Sequence, residues 1–118
     1  MGVILVVDDE IEVCNALQEF LAAKGHEVHT AQSGDMAIKI VKELRPDVVL
    51  LDIIMPGKWG TDVLKEIHKF DALINVIMLT AIADETEVKK AIKAGAFDYM
   101  YKPIDLKKLL GLLSKIVS

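Results

Sequence analysis

Five short aliphatic runs, each followed within a few residues by a segment of helical period, limit this chain more than any other feature. Val3-Ile4-Leu5-Val6-Val7 is β-branched and ends at acids, which predicts a strand buried on both faces. Ile11, Cys14, Leu17, Phe20 and Leu21 then recur at helical spacing, and Gly25 supplies a stop. Glu27 to Ala31 alternates and is more polar, so it predicts an edge strand. Ser33 is placed to cap a helix with Met36, Ala37, Ile40, Val41 and Leu44 on one stripe, and Arg45-Pro46-Asp47 breaks it. Val48 to Asp52 is the third strand. Met55 to Gly60 reads as a loop, and Val63, Leu64, Ile67 and Phe70 as the next apolar helix face. Val76 to Thr80 is the fourth strand, followed by a helix capped by Asp84, with Val88, Ala91 and Ile92 inward and Gly95 at its end. Phe97 to Tyr101 is the fifth strand. Asp105 caps a last helix bearing Leu106, Leu109, Leu110, Leu113 and Ile116.

Strands alternating with helices across short loops require a parallel sheet covered on both faces, with right-handed crossovers. Five such units fall short of the eight in a closed barrel. The expected class is therefore α/β: an open, doubly wound five-stranded parallel sheet with five flanking helices, one domain over residues 1–118. The 118 residues are 53% hydrophobic but only 5% aromatic, which suits a single aliphatic core and excludes a disordered chain. A net charge of -4 offers no basic surface for nucleic acid. Cys14 is the only cysteine, so no internal disulfide forms, which fits a reducing compartment. No aliphatic run approaches the roughly 20 residues that cross a bilayer. Asp8, Asp9 and Glu10 cut off any signal peptide, and Val6 stands where myristoylation would want Ser or Thr. A cytoplasmic chain without membrane contact is expected.

In an open parallel sheet, chemistry gathers at the carboxyl ends of strands where strand order reverses. Asp8 and Asp9 follow strand one, Asp52 ends strand three, Thr80 ends strand four and Lys102 follows strand five. Strand two ends in Ala31-Gln32-Ser33 without charge. The order 2-1-3-4-5, with strand two at an edge, accounts for this distribution. Taken alone, Asp9 or Glu10 is as readily the start of a helix, where anions are favoured. Asp52 fits that reading less well, because it follows four aliphatic residues of a central strand. Three carboxylates brought together repel, and burial raises the cost of their charge. A cation resolves this, and oxygen ligands suit Mg²⁺ rather than zinc. His26, His29 and His68 follow no metal-ligand spacing. Lys102 could merely balance the acids, yet with Mg²⁺ and the Thr80 hydroxyl it also surrounds a phosphoryl group with charge and donors. Asp52 is then the candidate nucleophile, giving an acyl phosphate.

These residues resemble the receiver domain of two-component response regulators from about Val3 to Val117. The resemblance rests on Val7-Asp8-Asp9, Leu51-Asp52 with Met55-Pro56 and Gly60, Thr80-Ala81, and Lys102-Pro103, in that order. It implies a flavodoxin-like fold and phosphorylation of Asp52 by a sensor histidine kinase or phosphotransfer protein. It also implies Asp9, Asp52 and the carbonyl of Ile54 as Mg²⁺ ligands, with Asp8 contributing through water. Lys102 would pair with phosphoryl oxygens, Thr80 would donate to one, and Tyr99 aligns with the aromatic switch. A plain core tyrosine is the competing reading of Tyr99. The Lys102-Pro103 bond is usually cis in that family. The surface of the fourth helix, fifth strand and last helix, with Lys89, Lys90 and Lys93, is similar to its signalling face, although such a run also serves as a solvated helix side. Gly95 to Tyr99 resembles receivers joined to transcriptional activators. The expected partners are the phosphodonor and either a downstream protein or a C-terminal output domain, since no effector follows Ser118.

Ile54 and Ile82 stand two residues after Asp52 and Thr80, where isoleucine would exclude water, so slow loss of phosphate is expected. Trp59 either borders the pocket or packs across its loop. Asp8-Asp9-Glu10 would repel a flavin phosphate, and strand one is not followed by a Gly-rich fingerprint. An aspartyl-nucleophile phosphatase would need an extra acid-base group and a cap. A phosphorylation-independent docking module of the same fold is the closer alternative.

Overall fold

The computed structural model describes residues 2–81 and 85–117. The Asp84 cap and Ile82 lie outside the described residues. Seven strands and five helices follow in chain order. They are β1 (Val3–Val7), α1 (Ile11–Ala23), β2 (Glu27–Ala31), α2 (Gly34–Leu44), β3 (Val48–Asp52), β4 (Ile54–Met55) and β5 (Lys58–Trp59). Then come α3 (Gly60–Phe70), β6 (Asn75–Thr80), α4 (Glu85–Lys93), β7 (Asp98–Tyr101) and α5 (Leu106–Ser114).

The main sheet runs β2-β1-β3-β6-β7, and every pairing in it is parallel. Counting only its five strands, this is the expected order 2-1-3-4-5. Its edges are β2 and β7; in β2 only Ala31 is buried, while every residue of the central β3 is buried. The strands need aliphatic residues on both sides because each side is covered. Leu5, Val7, Val49, Leu51, Val76 and Met78 face a layer made by α2, α3 and α4. Ile4, Val6, Val48, Leu50, Ile77 and Leu79 face α1 and α5. This two-residue alternation is the pleat of a strand expressed in packing.

Helix faces differ from expectation mainly at their ends. Ile11, Met36, Leu44, Ile92 and Leu106 are exposed, whereas Leu112 is buried. A terminal residue on an apolar stripe overhangs the sheet instead of covering it. Ser33 caps α2 as expected, its side chain accepting from the Met36 N–H at 3.2 Å. Asp105 does the same for α5 through Lys108. Arg45 ends α2 in the left-handed region at φ 47°, and its guanidinium lies over the Phe70 ring and bonds Asp71.

The stretch expected as a loop contains a small antiparallel hairpin, β4 against β5, turned by Pro56-Gly57. Gly57 has φ 82°, the conformation such a turn demands of a residue without a Cβ. Gly60 is constrained by space instead. A Cβ there would collide with the carbonyl oxygen of Asp52 and come within 2.8 Å of Ile53 Cα. The Gly60 N–H donates to the Ile53 carbonyl at 2.7 Å, seating α3 directly on the end of β3.

Two glycine substitutions should therefore differ in cost. Gly57→Ala meets no neighbour within 4 Å and should lose about 1 kcal/mol from backbone strain. Gly60→Ala must displace backbone and should lose about 2 kcal/mol or more, lowering the melting midpoint by roughly 8 °C. Thermal unfolding of both variants checks the ranking, and equal losses would contradict the close approach of α3 to Asp52.

Candidate functional site: an acidic mouth at the strand ends

Register brings the acids together. Ile4 pairs with Val48 and Val7 with Leu51, so the same offset sets Asp8 beside Asp52 at the ends of neighbouring strands. Both carboxylates are almost fully buried, and Asp9 is exposed at the rim. Each buried acid is fixed by its own backbone two residues on. Asp8 Oδ1 accepts from the Glu10 N–H at 2.9 Å, and Asp52 Oδ1 from the Ile54 N–H at 3.1 Å. Such local turns orient the carboxylate before any ligand arrives.

Lys102 reaches the mouth from the other side of the sheet's centre. Thr80 pairs with Tyr101, and the Lys102 N–H donates to the Thr80 carbonyl at 2.7 Å, which carries the β7 end toward β3. The Lys102-Pro103 bond is cis. Lys102 Nζ donates to Asp8 Oδ2 at 2.5 Å and to Asp52 Oδ2 at 3.1 Å, and lies 3.8 Å from Glu10 Oε1. Thr80 is buried at the end of β6.

The electrostatics of the pair are unequal. Burial pushes the Asp52 carboxyl above the usual carboxylate range, although the Lys102 hydrogen bond and charge pull it back part of the way. Burial disfavours the Lys102 ammonium, yet its bonds to Asp8 and Asp52 prevail and its pKa lies above the ordinary lysine value. One ammonium thus bonds two buried carboxylates, with Glu10 nearby and Asp9 clustered beside the pair. That imbalance is what a divalent cation corrects.

The donor set fits a small hard ion. Carboxylate oxygens of Asp8, Asp9 and Asp52 lie within 4.8 Å of one another. Opposite oxygens around Mg²⁺ are about 4.2 Å apart, from metal–oxygen distances of about 2.1 Å. The chemistry of the set, oxygen only, excludes a zinc preference.

Of the residues expected from the sequence, Asp8, Asp9, Asp52 and Lys102 are brought together, and Thr80 is tied to Lys102 through its carbonyl. Ile54 borders the mouth at the start of the hairpin, its side chain 40% exposed. Tyr99 lies farther along β7, half-buried, its ring edge-on to Tyr101 at 5.6 Å. Glu10 is the contact the sequence reading missed. It was legible only as the start of α1, and nothing in its spacing revealed that Lys102 would arrive above it.

Comparison with known proteins agrees with this geometry. The sequence model of the family described as response regulator receiver domain matches residues 4–114. The chain is 36% identical over 115 residues to the chemotaxis protein CheY of Halobacterium salinarum, covering 98% of this chain and 96% of that one. It is 42% identical over 106 residues to the regulatory protein AtoC of Escherichia coli, covering 90% of this chain but 23% of AtoC. The chain thus spans about a quarter of that regulator and nearly all of the chemotaxis protein. A solved receiver domain from Clostridium thermocellum superposes with a TM-score of 0.94 at 34% identity, covering 99% of this chain and 94% of that one. The chain belongs to the response regulator receiver domain family, whose standard function is phosphorylation-based signalling in two-component systems.

Proposed function

We propose that residues 1–118 form a single receiver domain that accepts a phosphoryl group on Asp52. The supporting observation is the mouth itself, in which the carboxylates of Asp8, Asp9 and Asp52 cluster at the ends of β1 and β3, and two of them, Asp8 and Asp52, bond the Lys102 ammonium that follows the edge strand β7. Asp9, Asp52 and the Ile54 carbonyl would hold Mg²⁺, with Asp8 acting through water. When bound, the ion screens the carboxylates and stabilises charge on the transferring oxygens. Asp52 attacks phosphorus with a carboxylate oxygen, and the leaving group departs on the opposite side. Lys102 exchanges one of its present carboxylate contacts for a phosphoryl oxygen. The Thr80 hydroxyl donates to another, and Tyr99 turns inward as Thr80 moves toward the phosphoryl group.

The phosphodonor in this reading is a sensor histidine kinase or phosphotransfer protein in the cytoplasm. The output passes to a downstream protein or a C-terminal output domain, and this segment itself contacts neither nucleic acid nor membrane. Among the described residues no helix is long and apolar enough to cross a membrane.

Intact-mass measurement after incubation with acetyl phosphate tests the reading. One added phosphoryl group is expected on the wild type with Mg²⁺, none in EDTA, and none on Asp52→Asn. Equal labelling of the mutant would remove Asp52 from its role.

Stability supplies an independent check. The folded Asp52 carboxyl has a raised pKa, so folding favours its protonated form. The unfolded chain releases that proton near the ordinary value of about 4. The contribution of Asp52 to stability is therefore largest below that pH and is lost as pH rises through the folded pKa. In EDTA at pH 7, Asp52→Asn should melt higher than wild type, by about 1 kcal/mol. The gap should narrow toward pH 4, and saturating Mg²⁺ should reverse it. Paired melting curves at the two pH values check all three outcomes.

A further inference from the structure

The hairpin after β3 carries the Ile54 carbonyl, and its two strands are held in different ways. In β4, Met55 is buried in the apolar layer beneath α2 and α3. In β5 neither residue is buried. Antiparallel pairing joins Ile54 to Trp59 and Met55 to Lys58, so a tilt of β5 is passed directly to the Ile54 backbone. Packing leaves room for such a tilt, because an open cleft of about 280 Å³ lies along the hairpin, lined by Ile54, Met55, Trp59 and Asp62.

Lys58 spans the gap between β5 and the two helices beside it. Its ammonium donates to Glu66 Oε1 on α3 at 2.8 Å and lies 3.6 Å from Asp35 Oδ1 in the first turn of α2. Its stem crosses the start of α2, where a Cβ on Gly34 would stand 3.2 Å from Lys58 Cδ. The Lys58 side chain is more shielded from solvent than either acid. The Glu66 hydrogen bond raises its pKa, and Asp35 adds to the effect, so the ammonium keeps its charge at neutral pH.

A half-exposed ion pair contributes little to global stability. Its effect on a metal ligand is larger in proportion. Mg²⁺ demands near-ideal octahedral geometry, with oxygens at about 2.1 Å, and tolerates little displacement of any one of them. Groups that orient the ligands therefore set affinity without touching the ion.

We propose that Lys58 is a positioning residue for the metal: by pinning β5 to α3 and α2, it fixes the Ile54 carbonyl at the acidic mouth. The proposal rests on the reading of Asp9, Asp52 and the Ile54 carbonyl as Mg²⁺ ligands. Its sign separates it from simple electrostatics. Lysine repels a metal cation, so on charge alone its removal tightens Mg²⁺ binding or leaves it unchanged. Positioning requires the opposite.

Mg²⁺ affinity is measured by calorimetry on unphosphorylated wild type, Lys58→Met, Lys58→Arg, Glu66→Gln and the Lys58→Met/Glu66→Gln double variant. Lys58→Met should bind Mg²⁺ about threefold more weakly. Lys58→Arg keeps a cation opposite Glu66 and should bind as wild type does. The double variant should lose no more than the larger single, because both changes remove one contact. Amide exchange in metal-free protein supplies the second measurement. Residues 54–59 should exchange about threefold faster in Lys58→Met, with β1 and β3 unchanged. Unchanged or tighter Mg²⁺ binding by Lys58→Met overturns the proposal, as does an equal loss in Lys58→Arg or unchanged exchange at the hairpin. If the wild type itself takes up no Mg²⁺, the reading of the metal ligands fails and the proposal falls with it.

Discussion

The Lys102 ammonium lies between two carboxylates that the sheet would otherwise hold too close together. Asp8 and Asp52 end adjacent parallel strands in register, so neither can retreat without disturbing β1 or β3. Their backbone-bonded oxygens fix their orientation, and their second oxygens share Lys102. One cation is too few for the charge assembled there. The fold is thus built around an electrostatic deficit at its centre, and the aliphatic layers on either side supply the stability that offsets it.

The division of labour between the two layers follows from topology. On one side α1 and α5 pack against Ile4, Val6, Val48 and Leu50, and Cys14 lies buried beneath Asp8, its thiol donating to the Asp8 carbonyl at 3.3 Å. Desolvation and the Asp8 charge raise its pKa, so it behaves as a small apolar group. On the other side α3 is seated on β3 through the Gly60 bond to Ile53, and α4 buries Glu87, Val88 and Ala91. The strands carry the acids, and α4 carries Lys89, Lys90 and Lys93.

Much of the fold was legible because its signals are local. The β-branched runs ending in acids, the Ser33 and Asp105 caps and the polar edge strand each report their own surroundings. The order of strands was matched to a known doubly wound order and is consistent with the uncharged end of β2, without being dictated by it. The β4–β5 hairpin was not legible, because two-residue strands leave no periodic trace. Overhanging Ile11, Met36 and Ile92 were misplaced for a related reason: periodicity identifies a stripe but not where the neighbouring sheet stops beneath it. Within the site, Asp8, Asp9, Asp52 and Lys102 stood out at strand ends. Glu10 and the Lys58–Glu66 pair did not, since each depends on a partner brought near by tertiary packing and looks like ordinary surface charge in sequence.

The hairpin places Trp59 opposite Ile54, two residues beyond Asp52, with its side chain 46% exposed. No second indole exists anywhere in the chain. Its emission is consequently a single-site optical signal from the hairpin that follows Asp52, open to dissolved quenchers and free of background from any other indole. Rapid-mixing kinetics at that hairpin can be recorded on the unlabelled protein, with no dye attached.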